Sequence, residues 1–422
     1  MDKLVIEGGV KLKGEVTVSG SKNSVLPILA ATLLTDAPCV IRGVPNLRDV
    51  NTMLKILRSL GKFADLDKGV VRVTANTKAE SWSADYKLVS TMRASFCVLG
   101  PLLAKHKQAK VSLPGGCIIG VRPVDLHLKG LKALGASIEV DGGYVIARTR
   151  QLKGEHMYLG GEYGSSVLAT GNVMMAACLA KGKTIIESAA CEPEVADLAE
   201  FLIKMGARIK GHGTPIIEIE GVAHLRGCDH RIIPDRIEAG TFMLASLITD
   251  GDLAIRNVQP SHLFAVIDKL KEAGVTIRHS DGLMRLSRKK DINAISVNTL
   301  PYPGFPTDMQ AQVMSLMCIT PGISVITEKI YPDRFMHVAE LNRMGAHIHR
   351  EGPHAIVEGV KKLSGAPVMA SDLRASACLV LAGLVAKGKT SISRIYHLDR
   401  GYEMIEKKLE ACGARIWREK EE

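Results

Sequence analysis

The 422-residue chain is 46% hydrophobic and 23% charged, the balance of a soluble globular protein, which excludes a disordered chain. At roughly 100–200 residues per domain, its length allows about two to four units. Lys and Arg exceed Asp and Glu by 55 − 44 = 11, a surplus that favours an anionic partner, while an aromatic content of 4% is too low for stacking on single-stranded nucleic acid.

The chain opens Met1-Asp2-Lys3-Leu4-Val5-Ile6-Glu7, with no basic segment leading into an apolar run, so no export signal is expected and a cytoplasmic location is. The longest apolar stretches, Val25–Leu34 and Ala377–Ala386, are about half of a membrane span. Beyond Val25–Leu34, a helix-like segment runs up to Leu60-Gly61 and an alternating, strand-like segment follows. The same junction returns at Leu134-Gly135-Ala136, Met205-Gly206-Ala207, Ala273-Gly274-Val275, Met344-Gly345-Ala346 and Cys412-Gly413-Ala414, at spacings of 74, 71, 68, 71 and 68 residues. A glycine just past the last helical turn predicts a left-handed cap. Each of the first five junctions is followed by a tight-turn signal such as Asp67-Lys68-Gly69, Asp141-Gly142-Gly143 or Asp281-Gly282, which predicts a hairpin. Each repeat also carries an earlier helix apolar on all sides, clearest at Asn172–Gly182 and Ser376–Gly388, and such a helix must be buried all round. The predicted unit is helix, strand, amphipathic helix, strand, strand, repeated six times, with the sixth copy cut off by the C-terminus.

Just ahead of each apolar helix the sequence turns polar. The six places are Ser19-Gly20-Ser21-Lys22-Asn23, Thr91-Met92-Arg93-Ala94-Ser95, Gly164-Ser165-Ser166, Asp235-Arg236-Ile237-Glu238, Thr307-Asp308-Met309-Gln310 and Asp372-Leu373-Arg374-Ala375-Ser376. Lys22, Arg93, Ser166, Arg236, Asp308 and Arg374 lie 39, 42, 40, 38, 37 and 39 residues before the next junction glycine, so they occupy one structural position, the start of the buried helix. Ser, Thr and Asp there serve equally well as helix N-caps. Lys and Arg do not, because a cation opposes the helix dipole and needs another reason to be present. Helix starts loaded with cations describe a place for a multiply anionic small molecule.

Nine cysteines are scattered along the chain with no Cys-x-x-Cys pair, which predicts reduced, mostly buried thiols and neither a disulfide framework nor a zinc site. Cys117 stands apart in the loop Leu113-Pro114-Gly115-Gly116-Cys117, close to Arg122, where a lowered pKa would make the thiol an acid or a nucleophile; taken alone it reads first as a spare loop cysteine. His127, His347 and His349 show no metal-ligand spacing and read as packing or surface residues, and Ser287–Asp291 reads as a solvated turn.

These motifs, together with Arg122-Pro123-Val124-Asp125-Leu126-His127, Arg334-Phe335-Met336-His337 and Tyr396-His397-Leu398-Asp399-Arg400-Gly401-Tyr402-Glu403, resemble the enolpyruvyl transferase family, and within it the UDP-N-acetylglucosamine 1-carboxyvinyltransferases; the resemblance runs from the first residues to beyond Arg400. It implies two inside-out α/β barrel domains, each of three βαβαββ-type repeats around buried helices. One would span residues 22–230 and carry the Cys loop at 113–122, the other would join 1–21 to 231–422, and the active site would lie in the cleft between them. It implies transfer of the enolpyruvyl group of phosphoenolpyruvate to the 3′-hydroxyl of UDP-N-acetylglucosamine with release of phosphate, the first committed step of bacterial peptidoglycan synthesis. Small-molecule substrates are its only implied partners, with no metal, organic cofactor, nucleic acid or membrane insertion.

By the same resemblance Cys117 delivers a proton to C3 and can form a covalent adduct, which makes it a target of fosfomycin. Asp308 accepts the hydroxyl proton and holds the sugar with Asn23. Lys22, Arg122 and Arg400 clamp phosphoenolpyruvate, with Arg334 and Arg374 nearby. Arg93, Pro123, Val124, Asp125, Leu126, Ser166, Val167 and Ile330 complete the substrate-binding set. The sequence departs from the family where a Lys and a Ser-Val-Gly usually meet the diphosphate: here stand Gly164-Ser165-Ser166-Val167-Leu168. Cys97 replaces a frequent aromatic residue, and Pro332 a frequent acid before Arg334.

Three other readings stand beside this one. The sister 5-enolpyruvylshikimate-3-phosphate synthases share the architecture but lack the Pro-Gly-Gly-Cys loop. A non-catalytic paralogue that binds UDP-N-acetylglucosamine would have no need of Cys117, Asp308 and the cation set. A six-repeat clamp on DNA requires Lys and Arg on helices lining a channel, whereas these cations gather at helix starts.

Overall fold

A computed structural model describes residues 2–76, 81–114, 124–288 and 292–421. The chain divides into two compact units, one of residues up to Ser19 together with those from Pro234 onward, the other running from Gly20 to Ile233.

Each unit holds three inner helices. In the Gly20–Ile233 unit they are Lys22–Ala31, Leu99–His106 and Val167–Ala177, and in the other Arg236–Ile248, Gln310–Cys318 and Leu373–Val385. Burial follows composition: every residue from Ile237 to Ile248 and from Gln310 to Cys318 is buried, as are Val25 to Ala31. At about 1.5–3 kcal/mol for each large apolar side chain removed from water, these helices contribute substantially to each unit's core, together with the strands and outer helices packed around them. The outer helices are one-sided. Arg48–Ser59 buries Val50, Met53, Leu54, Ile56 and Leu57 and leaves its charged face to solvent. All six junction glycines adopt the left-handed conformation, with φ between 87° (Gly61) and 104° (Gly206), where a side chain would be strained.

Among the described residues the strands form six separate four-stranded sheets of one design and one two-stranded ribbon, Gly160–Gly161 with Gly164–Ser165. In the sheet of Val297–Asn298, Ile323–Thr327, His354–Glu358 and His347–Glu351, the first two strands run parallel across the inner helix, and the last two form the hairpin. The fold is therefore mixed α/β with helices inside, and the described strands belong to separate sheets instead of one closed barrel.

Three strands needed to complete this design are far from their repeats in sequence. Asp2–Glu7 pairs with Lys389–Ser393 and with Arg415–Lys420, so the sixth copy is not cut off: the N-terminal strand finishes it. Lys13–Thr17 lies parallel to Asp252–Arg256 and leads the fourth repeat, and Asp229–Arg231 lies parallel to Cys39–Arg42 and leads the first. Each repeat thus has a leading strand ahead of its inner helix.

Candidate functional site: a double-arginine carboxylate and its neighbours

A cluster of buried charge lies in the unit that contains Asp308. Pro306 directs the chain into a single 3-10 turn, Thr307–Met309, before the helix Gln310–Cys318 begins, and this turn presents the Asp308 side chain. Arg334 Nη1 donates to Asp308 Oδ1 at 2.8 Å, and Arg374 Nη2 donates to Oδ2 at 2.9 Å. Both guanidinium groups are almost fully buried, Arg334 at 5% and Arg374 at 2% exposure, whereas the Asp308 side chain keeps 27%. Burial alone would raise the Asp308 carboxyl, but the charges of Arg374 and Arg334 outweigh it and hold the group well below the usual carboxylate range. Burial likewise works against the charge of Arg374, and Asp308 more than restores it.

The surroundings fix each partner. Asp372 caps the helix Leu373–Val385 by accepting from the Arg374 and Ala375 N–H groups at 2.7 and 3.2 Å, and it lies 3.9 Å from Arg334 Nη2. Thr307 Oγ1 accepts from Arg334 Nη1 at 3.1 Å and donates to Glu328 Oε2 at 2.8 Å. Glu328 is fully buried, and its Oε1 accepts from Thr299 Oγ1 at 2.7 Å and from the N–H groups of Ile330 and Tyr331 at 2.8 and 3.0 Å. Ile330 therefore has its backbone fixed within two residues of that carboxylate. His337, also buried, is pushed down to about 4 by burial, with Asp372 opposing the shift. Arg400 ends the 3-10 segment Ile395–Arg400 and is half-buried.

At the start of the helix Arg236–Ile248 the chemistry is internal. Asp235 caps it through the Ile237 and Glu238 N–H groups at 2.8 and 2.9 Å. Glu238, which burial raises against the pull of Lys408, accepts from Lys408 Nζ and from Ser19 N, each at 2.6 Å. Arg236 lies over the Tyr302 ring, 5.7 Å from its centre.

In the Gly20–Ile233 unit, Lys22 is the first residue of its inner helix, and its Nζ is 2.9 Å from Asp49 Oδ2 on the outer helix Arg48–Ser59. Asn23 follows it, half-buried. Ser24 donates to Asp197, which also accepts from Ile233 N at 3.3 Å and stands 2.8 Å from His230 Nε2. Arg93 opens the 3-10 segment Arg93–Val98 that leads into Leu99–His106. Ser166 caps the helix beginning at Val167 by accepting from Ala169 N at 3.3 Å. Val124 precedes the helix Asp125–Ala133, Asp125 occupies its first turn, and Leu126 packs against the core. His127 is a packing residue: fully enclosed, it is pushed down to about 3 by burial and by the charge of Arg93, and its Nδ1 is 3.0 Å from Asn172 Nδ2. His347 and His349 are exposed.

Cys117, Arg122 and Pro123 lie outside the described residues, as do residues 289–291 of the expected solvated turn. The eight described cysteines are unpaired; burial raises Cys97, Cys178, Cys228 and Cys318 to about 12 and Cys378 well above its ordinary value, so none of these five is a thiolate at neutral pH. Among the described residues there is no cluster of His, Cys, Asp and Glu that could hold a metal ion, and no helix long and apolar enough to cross a membrane.

The structure therefore brings Asp308, Arg334 and Arg374 together and gives three of the expected helix-start residues, Ser166, Asp235 and Asp372, an N-cap role. Sequence reasoning missed Asp49, the acid that answers Lys22, and Glu328, the carboxylate that holds Thr307 and the Ile330 and Tyr331 backbone. Asp49 is one acid in the first turn of an ordinary amphipathic helix, and nothing local marks it. Glu328 does carry a signal, an acid directly after the apolar strand Ile323–Thr327.

Comparison with known proteins places the chain. The family described as EPSP synthase (3-phosphoshikimate 1-carboxyvinyltransferase) matches residues 6–409. The chain is 56% identical over 421 residues to a UDP-N-acetylglucosamine 1-carboxyvinyltransferase of Geotalea uraniireducens, covering 100% of both chains, and 54% identical over 418 residues to one of Methylacidiphilum infernorum, covering 99% of both. Among solved structures, the enolpyruvyl transferase NikO from Streptomyces tendae superposes with a TM-score of 0.88 at 24% identity, over 99% of this chain and 98% of that one. EPSP synthase from Acinetobacter baumannii superposes with a TM-score of 0.75 at 19% identity over the whole of both chains.

Proposed function

The chain belongs to the EPSP synthase family of enolpyruvyl transferases, and from that premise we propose that it transfers the enolpyruvyl group of phosphoenolpyruvate to the 3′-hydroxyl of UDP-N-acetylglucosamine, releasing phosphate. The observation that carries the substrate is the 56% identity, unbroken over the full length, to relatives named for that sugar nucleotide. In this reading the protein is a cytoplasmic enzyme that commits UDP-N-acetylglucosamine to peptidoglycan, and so serves cell shape and division.

The reaction adds a hydroxyl across a carbon–carbon double bond and then eliminates phosphate. The sugar oxygen bonds to C2 of phosphoenolpyruvate as C3 gains a proton and the hydroxyl loses one. The adduct then loses a C3 proton and the C2–O bond to phosphate. Cys117 is the acid at C3 and the site of alkylation by fosfomycin. Lys22, Arg122 and Arg400 hold the phosphate and carboxylate, for which guanidinium forks are suited. Asp308 takes the hydroxyl proton and, with Asn23, orients the sugar. Its negative charge also favours the positive charge that develops at C2. Arg93, Arg122, Pro123, Val124, Asp125, Leu126, Ser166, Val167 and Ile330 serve the sugar nucleotide.

Asp308 clamped between Arg334 and Arg374 is a weak base. An anionic substrate that draws either guanidinium away would raise the basicity of the carboxylate, which couples binding to chemistry. The test is phosphate release from phosphoenolpyruvate, measured with UDP-N-acetylglucosamine and separately with shikimate 3-phosphate. Release only with the first supports the proposal. Release only with the second, or none with either from folded protein, rejects it.

A further inference from the structure

Tyr402 is buried at 1% exposure, and its hydroxyl meets one side chain from each of the three inner helices of its unit. It is 2.9 Å from Thr241 Oγ1 on Arg236–Ile248, 3.3 Å from Gln312 Nε2 on Gln310–Cys318 and 3.1 Å from Arg374 Nη1 on Leu373–Val385. The direction of these bonds can be assigned. Thr241 Oγ1 donates its single proton to Ile237 O at 2.8 Å, so it must accept from Tyr402. The contacting atoms, Arg374 Nη1 and Gln312 Nε2, carry only N–H groups, so both donate. The hydroxyl thus uses its one proton and both lone pairs. Burial raises the Tyr402 pKa, which keeps that proton in place.

The consequence falls on Asp308. Arg374 gives one Nη to Tyr402 and the other to Asp308 Oδ2, and its Nε has no partner among the described residues. A planar guanidinium with one edge tied cannot turn its other edge freely. Gln312 Nε2 in turn donates to the backbone carbonyl of Asp308 at 2.9 Å. One hydroxyl therefore steadies both the charge partner and the main chain of the same carboxylate.

We propose that Tyr402 is a positioning residue for the transfer reaction, holding Arg374 and Gln312 so that Asp308 keeps its place and its charge partner. The proposal rests on the transferase reading given above. Replacement by Phe retains the ring, over which the Arg374 guanidinium lies 5.5 Å from the centre, and removes only the hydroxyl.

The experiment is a double-mutant cycle on phosphate release with Tyr402→Phe, Arg374→Lys and the pair together, recording kcat, KM for each substrate and the acid limb of the pH profile. Tyr402→Phe should lower kcat/KM by at least about tenfold, the scale of one hydrogen bond to a charged group. It should also shift the acid limb upward, because a loosened Arg374 stabilises the Asp308 carboxylate less. In the Arg374→Lys background the same change should cost no more than about twofold. Should Tyr402→Phe fail to fold, Thr241→Val, which removes the acceptor of the tyrosine proton together with the bonds of that hydroxyl to Ile237 O and Gln312 Nε2, should reproduce the upward shift at smaller amplitude.

Losses that multiply across the cycle, or an acid limb that stays in place in every folded variant, would reduce Tyr402 to packing and overturn the proposal. Wild-type turnover separates this failure from that of the parent reading. An active wild type with an indifferent Tyr402→Phe sinks the positioning role alone. A wild type silent with UDP-N-acetylglucosamine sinks the transferase reading, and this role with it.

Discussion

Replacing Asp308 by Asn tests the charge arrangement without assuming any reaction. The carboxylate accepts from Arg334 and Arg374 through different oxygens. The amide has one oxygen, so one guanidinium loses its acceptor and meets an NH2 group instead, donor against donor. Two cations buried to 5% and 2% exposure then face each other, with Asp372 at 3.9 Å from Arg334 and the charge of Asp235 acting on Arg374. Removing one partner of a buried ion pair costs roughly 3–5 kcal/mol, and the quarter of Asp308 that remains exposed points to the lower end, about 3 kcal/mol. The two tryptophans, Trp82 and Trp417, fall in different units, so Trp82→Phe and Trp417→Phe backgrounds report each unit by fluorescence during urea unfolding. The Trp417 transition should lose about 3 kcal/mol and the Trp82 transition should move by less than about 0.5 kcal/mol. Because the Asp308 carboxyl is depressed in the folded state, its contribution is complete above the ordinary carboxylate range and disappears only as the pH falls through the folded value. The difference between variant and wild type should therefore be unchanged from pH 7 to pH 5. Inorganic phosphate, as a replacement anion, should stabilise the variant more than the wild type. An unmoved Trp417 transition at pH 7 would refute the reasoning.

Three further outcomes follow from other contacts. His127 is held near 3 when folded, far below its ordinary 6.5, so the Gly20–Ile233 unit should lose stability as the pH falls from about 6.5; Trp82 fluorescence should show that loss, and His127→Gln should flatten it. Asp235→Ala removes the acceptor of two N–H groups and should cost about 1–2 kcal/mol in the Trp417 transition. In the transferase reading, fosfomycin should add one adduct by intact mass, lost in Cys117→Ser, because burial keeps Cys97, Cys178, Cys318 and Cys378 protonated; adducts on the Cys117→Ser protein would contradict it.

The repeat was legible because its markers are local. A glycine just past a helix favours the left-handed cap for local reasons, and Gly61, Gly135, Gly206, Gly274, Gly345 and Gly413 all adopt it. An all-apolar helix can only be inside. What could not be read was which strand completes which repeat. Asp2–Glu7 and Asp229–Arg231 are short, and their partners lie hundreds of residues away, at Arg415–Lys420 and Cys39–Arg42. A short strand shows its period but not its neighbour.

The same limit governs the charges, and there it matters more. Cations at helix starts were visible and physically odd, and they led to an anion-binding reading. In the folded chain Lys22 faces Asp49, Arg374 faces Asp308, and Arg236 lies on the Tyr302 ring. Each answering group comes from another element, and no spacing in the sequence announces it. The helix-start rule is therefore satisfied internally before any ligand arrives. For an anionic ligand, affinity at these positions is a difference: what it gains from a guanidinium or ammonium less what Asp49 or Asp308 gives up. A carboxylate so displaced also regains its basicity, so the acids that weaken binding are the ones that make it consequential for proton transfer.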